Sequence, residues 1–198
     1  MDDYLAALQV KGPPPSWAVA VGGPNAAPAG GDANATLILE SGAYALVCFI
    51  PSPDGVPHMA KGMVLGMQVA PSTGPLAALP TGDIKITLSD YSFAFSQAPT
   101  AGTHTFTVSN EGKEAHEVVL VSLPPEGTAE QLGAWFEGPM DGPPPGAPVG
   151  GLAAMHTGQV ENFTVNLPPG RYGLICFITA PDGAPHFVHG MAVTFTVS

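Results

Sequence analysis

Cys176-Phe-Ile-Thr-Ala-Pro-Asp-Gly-Ala-Pro-His186-Phe-Val-His189-Gly-Met191 decides the reading of this chain. One loop carries a thiol, an imidazole and a thioether, spaced Cys-x9-His-x4-Met. The residues before it, Arg171 to Ile178, have the aromatic and β-branched content of a buried strand. Those after it, Met191 to Val197, alternate apolar and polar like a second strand. Pro181-Asp-Gly183 is a turn signal between them. The loop therefore joins two strands and folds back, bringing its ends together.

A thiolate, an imidazole and a thioether form a soft donor set that suits copper better than any hard cation. A trigonal copper site needs one more imidazole. Asn110-Glu-Gly-Lys-Glu-Ala-His116 supplies a candidate: His116 follows a Gly-containing turn and heads the apolar run Val118 to Val121.

An Asn-x-Gly-x3-His turn leading into a strand, followed by a Cys…His…Met loop near the C-terminus, resembles the cupredoxin (plastocyanin/azurin-like blue type 1 copper) family. The resemblance spans about residues 82–198. It implies an all-β, Greek-key β-sandwich and one copper ion per complete domain, used for one-electron transfer. On that resemblance His116, Cys176, His186 and Met191 take the ligand roles. Two features depart from the family pattern. The Cys–His gap is longer than in plastocyanin or azurin, and Glu117 stands where many members carry an Asn that braces the Cys loop.

Residues 43–63, Ala-Tyr-Ala-Leu-Val-Cys48-Phe-Ile-Pro-Ser-Pro-Asp-Gly-Val-Pro-His58-Met-Ala-Lys-Gly-Met63, repeat 171–191 almost position for position. Cys48, His58 and Met63 thus mark a second, incomplete metal site. Gly12-Pro-Pro-Pro15 matches Gly142-Pro-Pro-Pro145, Gly22-Gly23 matches Gly150-Gly151, and a short helical opening at Asp2 to Leu8 matches Glu130 to Phe136. An internal duplication accounts for these matches.

The expected organisation is an incomplete repeat at 1–70, a Pro/Gly/Ser linker at 71–82 and a complete domain at 83–198. The first copy lacks the N-terminal strands and the first imidazole, which leaves an open sheet edge and an uncovered apolar face. Three explanations compete: a fragment or misplaced start, completion by packing on the complete domain or in a dimer, or a decayed copy. The first is favoured, because the break coincides with Met1.

In the second copy, strands are expected at Asp83–Leu88, Tyr91–Phe95, Thr103–Val108, His116–Val121 and Gln159–Leu167. Thr128-Ala-Glu-Gln131 is a capping-box pattern opening a helix to about Phe136. Gly138 to Gly151 reads as a Pro/Gly loop. His189 is expected at the rim, His104 in a structural or exposed position, Met59 and Met67 in the core or at its rim, and Trp17 and Trp135 as core or interface filling. His156 receives no role.

Composition sets the bounds. The 198 residues include 25 Gly and 23 Pro, with 45% hydrophobic and 11% charged residues. That mixture favours short strands and many turns over long helices. The net charge of −11, with only five Lys and Arg, argues against nucleic acid, because phosphate contact needs a basic face. It is compatible with a basic redox partner protein. No run of about eighteen apolar residues occurs, so no membrane insertion is expected. Met1 to Leu8 has no basic and apolar leader pattern, while the family resemblance implies a periplasmic or extracellular protein.

The sequence contains no His-x-His pair and no loop with two cysteines. Multicopper clusters, binuclear copper and Cys-rich zinc sites therefore have no ligands. No Ser/His/Asp motif, P-loop or dinucleotide fingerprint is present, so no enzymatic machinery is visible. Two alternatives stand beside electron transfer: copper carriage or storage, and a metal-free cupredoxin-like interaction module.

Overall fold

The structure, a computed structural model, describes residues 17–198. The expected helix at Asp2–Leu8 and the Gly12–Pro15 match lie outside the described residues. The described residues divide into two compact units, 17–19 with 38–77, and 20–37 with 78–198.

The larger unit is a sandwich of two four-stranded sheets. One sheet contains β3 (Ile84–Ser89), β4 (Ser92–Phe95), β5 (Gly102–Asn110) and β8 (Val160–Leu167), in the order β4-β3-β5-β8. The other contains β6 (His116–Leu123), β7 (Ala147–Met155), β9 (Gly170–Ile175) and β10 (Ala192–Val197), in the order β10-β9-β6-β7. Only the β3–β5 pair is parallel.

Strand alternation dictates what lies between the sheets. Ile84, Ile86 and Leu88 of β3, and Phe106 and Val108 of β5, point inward from one side. Val118 and Leu120 of β6, Leu152 of β7 and Leu174 of β9 meet them from the other. Phe106 stacks on Phe163 with ring centroids 4.9 Å apart.

Strand β9 is buried on both faces from Tyr172 to Ile175, and Cys176 just after it is buried too. Its outer face is covered by α1 (Ala129–Glu137), where Leu132 packs with Val121 and Ile175. The capping box read from the sequence forms: Gln131 N–H donates to Thr128 Oγ1 at 3.2 Å, and Thr128 N–H donates to Gln131 Oε1 at 3.0 Å.

Three expectations change. The stretch Gly138–Gly151, read as a loop, ends inside strand β7. The glycines that suggested a loop serve the ladder instead. A Cβ on Gly151, which has φ +111°, would collide with the Val118 carbonyl where the β6–β7 register shifts. Trp17 is 60% exposed, so it fills no core, and Met67 is exposed as well. Finally, residues 20–37, expected within an N-terminal half-copy, belong to the larger unit. They run along two sheet edges: Val21 and Pro24 bridge Met155 and Leu152 of β7, and Thr36 bridges Asn162 of β8. Edge strands carry unpaired backbone groups, and this segment satisfies them.

The smaller unit contains the antiparallel hairpin of β1 (Gly42–Val47) and β2 (Val64–Val69). Leu46, Met63 and Leu65 of this unit are all more than half exposed. No helix among the described residues is long and apolar enough to cross a membrane.

Candidate metal centre

Backbone bonds close the Cys176–Met191 loop on itself. Cys176 N–H donates to Met191 O at 3.1 Å, His186 N–H to Ile178 O at 2.8 Å, and Met191 N–H to His186 O at 3.0 Å. Gly190, with φ +108°, ends the short 3-10 turn His186–His189 in a left-handed conformation that a side chain would strain. The Pro181-Asp-Gly183 turn forms as read, with Gly183 N–H donating to Ala180 O at 2.9 Å. These constraints turn Cys176, His186 and Met191 inward, and all three are fully buried.

His116 reaches the same place from the start of β6. Asn110 shapes the approach: its side chain donates to Glu114 O and Met155 O and accepts from Gly112 N–H at 2.9 Å. The folded chain sets His116 Nδ1 3.0 Å from His186 Nδ1, and His186 Nδ1 3.4 Å from Cys176 Sγ. The donor atoms of His116, Cys176 and His186 all lie within 4.8 Å of one another. Donors bonded to one ion at about 2.0–2.3 Å fall in this range.

The outward nitrogens explain why the inward ones are available. His116 Nε2–H donates to Asp90 Oδ1 at 2.8 Å, and His186 Nε2–H donates to Glu114 Oε2 at 3.1 Å. A carboxylate accepts and cannot donate, so each ring keeps its proton on Nε2 and its lone pair on Nδ1. Two lone pairs and a sulfur then face one another in a site closed to water. Among these atoms the thiol proton is the one hydrogen available, so the cluster is one donor short of pairing. A cation satisfies all three donors together.

Local charges favour the required protonation states, with one exception. Desolvation pushes Asp90 up, but hydrogen bonds from His116 and from Lys113 and Glu114 N–H more than offset it and hold the carboxyl below its usual range. Burial, followed by the neighbouring His116 imidazole, lowers His186 and keeps it neutral, the form that binds metal. Cys176 is the exception: burial, followed by the negative charge of Glu117, pushes its thiol far up. Without a metal ion it remains protonated.

Glu117 takes over the bracing role that the sequence left open. Its Oε1 accepts Phe177 N–H at 2.9 Å, beside Cys176, and its Oε2 accepts from the Asn25 side chain at 3.4 Å. Desolvation raises its carboxyl above the ordinary range. Tyr91 closes the outer side. Its hydroxyl donates to Glu114 Oε1 at 2.9 Å, and its ring lies edge-on to His186 and stacks on His189, both with centroids 4.8 Å away. His189 is exposed at the rim, as expected, and pairs with Asp182.

The structure therefore unites His116, Cys176 and His186 and buries Met191 in the same loop. The first-copy residues Cys48, His58 and Met63 lie in the smaller unit. His104 bonds Asp83 and Thr100 O on β5, and His156 sits on an exposed turn, so neither is part of this cluster. Asp90, Tyr91 and Glu114 were missed in the sequence. Glu114 had one local signal, its place two residues before His116. Asp90 and Tyr91 had none, because only the pairing of β3 with β4 turns that corner toward the site.

A two-sheet sandwich with a buried His, Cys, His, Met cluster is the arrangement that the cupredoxin resemblance implies. No family model matches the chain, and no curated protein matches it. Solved structures similar to part of it include two auracyanins. Auracyanin B is 20% identical with a TM-score of 0.41, covering 61% of this chain and 93% of its own. Dithionite-reduced auracyanin from the photosynthetic bacterium Roseiflexus castenholzii is 25% identical with a TM-score of 0.39, covering 58% of this chain and 94% of its own. These superpositions are loose.

Proposed function

We propose that His116, Cys176, His186 and Met191 hold one copper ion and that the protein passes single electrons between redox partners. The observation that carries this reading is the tautomer lock. Asp90 and Glu114 hold the Nε2 protons, so both Nδ1 lone pairs converge beside the Cys176 sulfur. Two imidazoles and a thiolate, with a thioether beside them, form the donor set of blue-copper electron-transfer sites. When bound, copper supplies a one-electron couple. The chain's residues do the rest: the closed loop holds Cys176 and His186 in place, Glu117 braces Phe177, and burial excludes water. Donors held this way move little when the charge on the ion changes, which favours fast transfer.

The full burial of the donors favours a resident ion over copper carriage, because an ion handed to another protein must be reachable. The net charge of −11 supports a basic partner protein, and the resemblance supports a periplasmic or extracellular setting. The matched loops support an internal duplication.

Copper-loaded protein is expected to show a visible Cys176-to-copper(II) charge-transfer band and a reversible one-electron wave in voltammetry. Cys176→Ala should remove the band. A site that stays Cu(I) without cycling would favour carriage, and absence of copper after reconstitution would favour a metal-free module.

A further inference from the structure

The loop joining β1 to β2 repeats the Cys176 loop bond for bond. Cys48 N–H donates to Met63 O at 3.2 Å, His58 N–H to Ile50 O at 2.9 Å, Met59 N–H to Cys48 O at 2.9 Å, and Met63 N–H to His58 O at 3.0 Å. Gly62 takes the same left-handed turn as Gly190, with φ +99°. The result is the same donor pair: Cys48 Sγ lies 3.5 Å from His58 Nδ1, against 3.4 Å for Cys176 and His186. An ion about 2.3 Å from sulfur and 2.0–2.1 Å from nitrogen, at a near-tetrahedral angle, separates those atoms by about 3.5 Å.

The two loops differ in what covers them. Met191 is fully buried, whereas Met63 is 59% exposed, and Leu46 is 54% exposed where its counterpart Leu174 is 1% exposed. Where His116 completes the larger cluster, no further His, Cys, Asp or Glu joins Cys48 and His58 among the described residues, and both are half-buried rather than closed in. These donors are preformed by the backbone network, with exposed Met63 and Leu46 beside them.

We propose that Cys48, His58 and Met63 form a second metal site, for a borderline divalent cation, with one coordination position open to an incoming imidazole. Thiolate and imidazole anchor the ion and the thioether is its weak third arm, a set that borderline and soft metals prefer. On binding, the Cys48 thiol gives its proton to solvent and the sulfur donates to the ion. The open position takes a nitrogen ligand, for which an external histidine side chain has the right chemistry. This site stands independently of the copper reading above, because it shares no donor with Cys176.

The test uses the full chain carrying Cys176→Ser, with Cys176→Ala as a second background, under reductant. Cobalt(II) is added with and without free imidazole, and the thiolate-to-cobalt charge-transfer band is read. The expected result is a band saturating at one cobalt per chain, with imidazole tightening binding about tenfold or more. Adding Cys48→Ser should abolish the band. Adding His58→Ala should weaken binding by more than the roughly tenfold minimum seen for losing an outer-shell partner. A missing band in both backgrounds, or a band that survives loss of Cys48, overturns the site. A band insensitive to imidazole overturns the open position. The larger cluster is assayed separately in the Cys48→Ser chain, so failure of one site is distinguishable from failure of the other.

Discussion

The Asp90 carboxylate lies 2.8 Å from His116 Nε2, on the side of the ring opposite His186. Residues that share no element thereby fix which nitrogen of a buried imidazole is free. Glu114 does the same for His186, and Tyr91 holds Glu114. The metal-binding geometry thus rests on an outer layer of two acids and a phenol. Carboxylates behind histidine ligands raise ligand basicity and favour the more highly charged state of an ion.

Replacing Asp90 with Asn keeps an oxygen acceptor for the ring and for the Lys113 and Glu114 N–H groups but removes the charge. Copper(II) affinity should fall about 10- to 100-fold and the reduction potential should rise. Competition titration and voltammetry would check both. An unchanged potential would mean that Asp90 only orients the ring.

Gly112 lies against that pair. A Cβ there would collide with both Asp90 Oδ1 and His116 Nε2. Gly112→Ala should therefore cost about 1–3 kcal/mol by overpacking and weaken metal binding in step. Urea denaturation with and without metal would separate the two effects. A fully stable variant with normal affinity would show that the corner relaxes freely.

Burial holds Cys176 as a thiol in the metal-free protein, while His186 is already neutral. Metal uptake near neutral pH should release about one proton per ion, and affinity should rise about tenfold per pH unit. Indicator-dye titration in the Cys48→Ser chain reads this directly. Release of no proton would contradict thiolate ligation.

Glu161 offers a pH effect away from the metal cluster. It is fully buried on β8, accepts Gly23 N–H at 3.1 Å, and is pushed by desolvation from 4.5 up to about 7. Between those values the unfolded chain has lost a proton that the folded chain keeps. Stability should therefore fall as pH rises from 4.5 to about 7, by about 3 kcal/mol, and then level off. Glu161→Gln should flatten that limb in urea denaturation at stepped pH. A wild-type profile without this slope would place the carboxylate in contact with water.

Much of the site was legible because it is local. Cys176, His186 and Met191 share one loop, and the Pro181-Asp-Gly183 turn with a left-handed Gly190 sets its path. The same spacing builds the same bonds around Cys48 and His58, with a very different surface. His116 was legible from its Asn-x-Gly turn and the apolar strand behind it. Strand β7 was hidden because Gly150 and Gly151 look like loop residues until the Val118 carbonyl is seen to occupy the space that a Gly151 side chain would need.

Residue order alone determined the donor types, their spacing and the alternation that makes two apolar sheet faces. These depend on bonds between near neighbours and on strand periodicity, both of which can be read along a chain. Tertiary structure alone decided that Asp90 and Glu114 back the two histidines, and that residues 20–37 pair with the edges of β7 and β8. It also decided that one Cys–His loop is buried and the other open. Each of these depends on which distant surfaces meet, and so on hydrogen bonds and desolvation that no local pattern encodes.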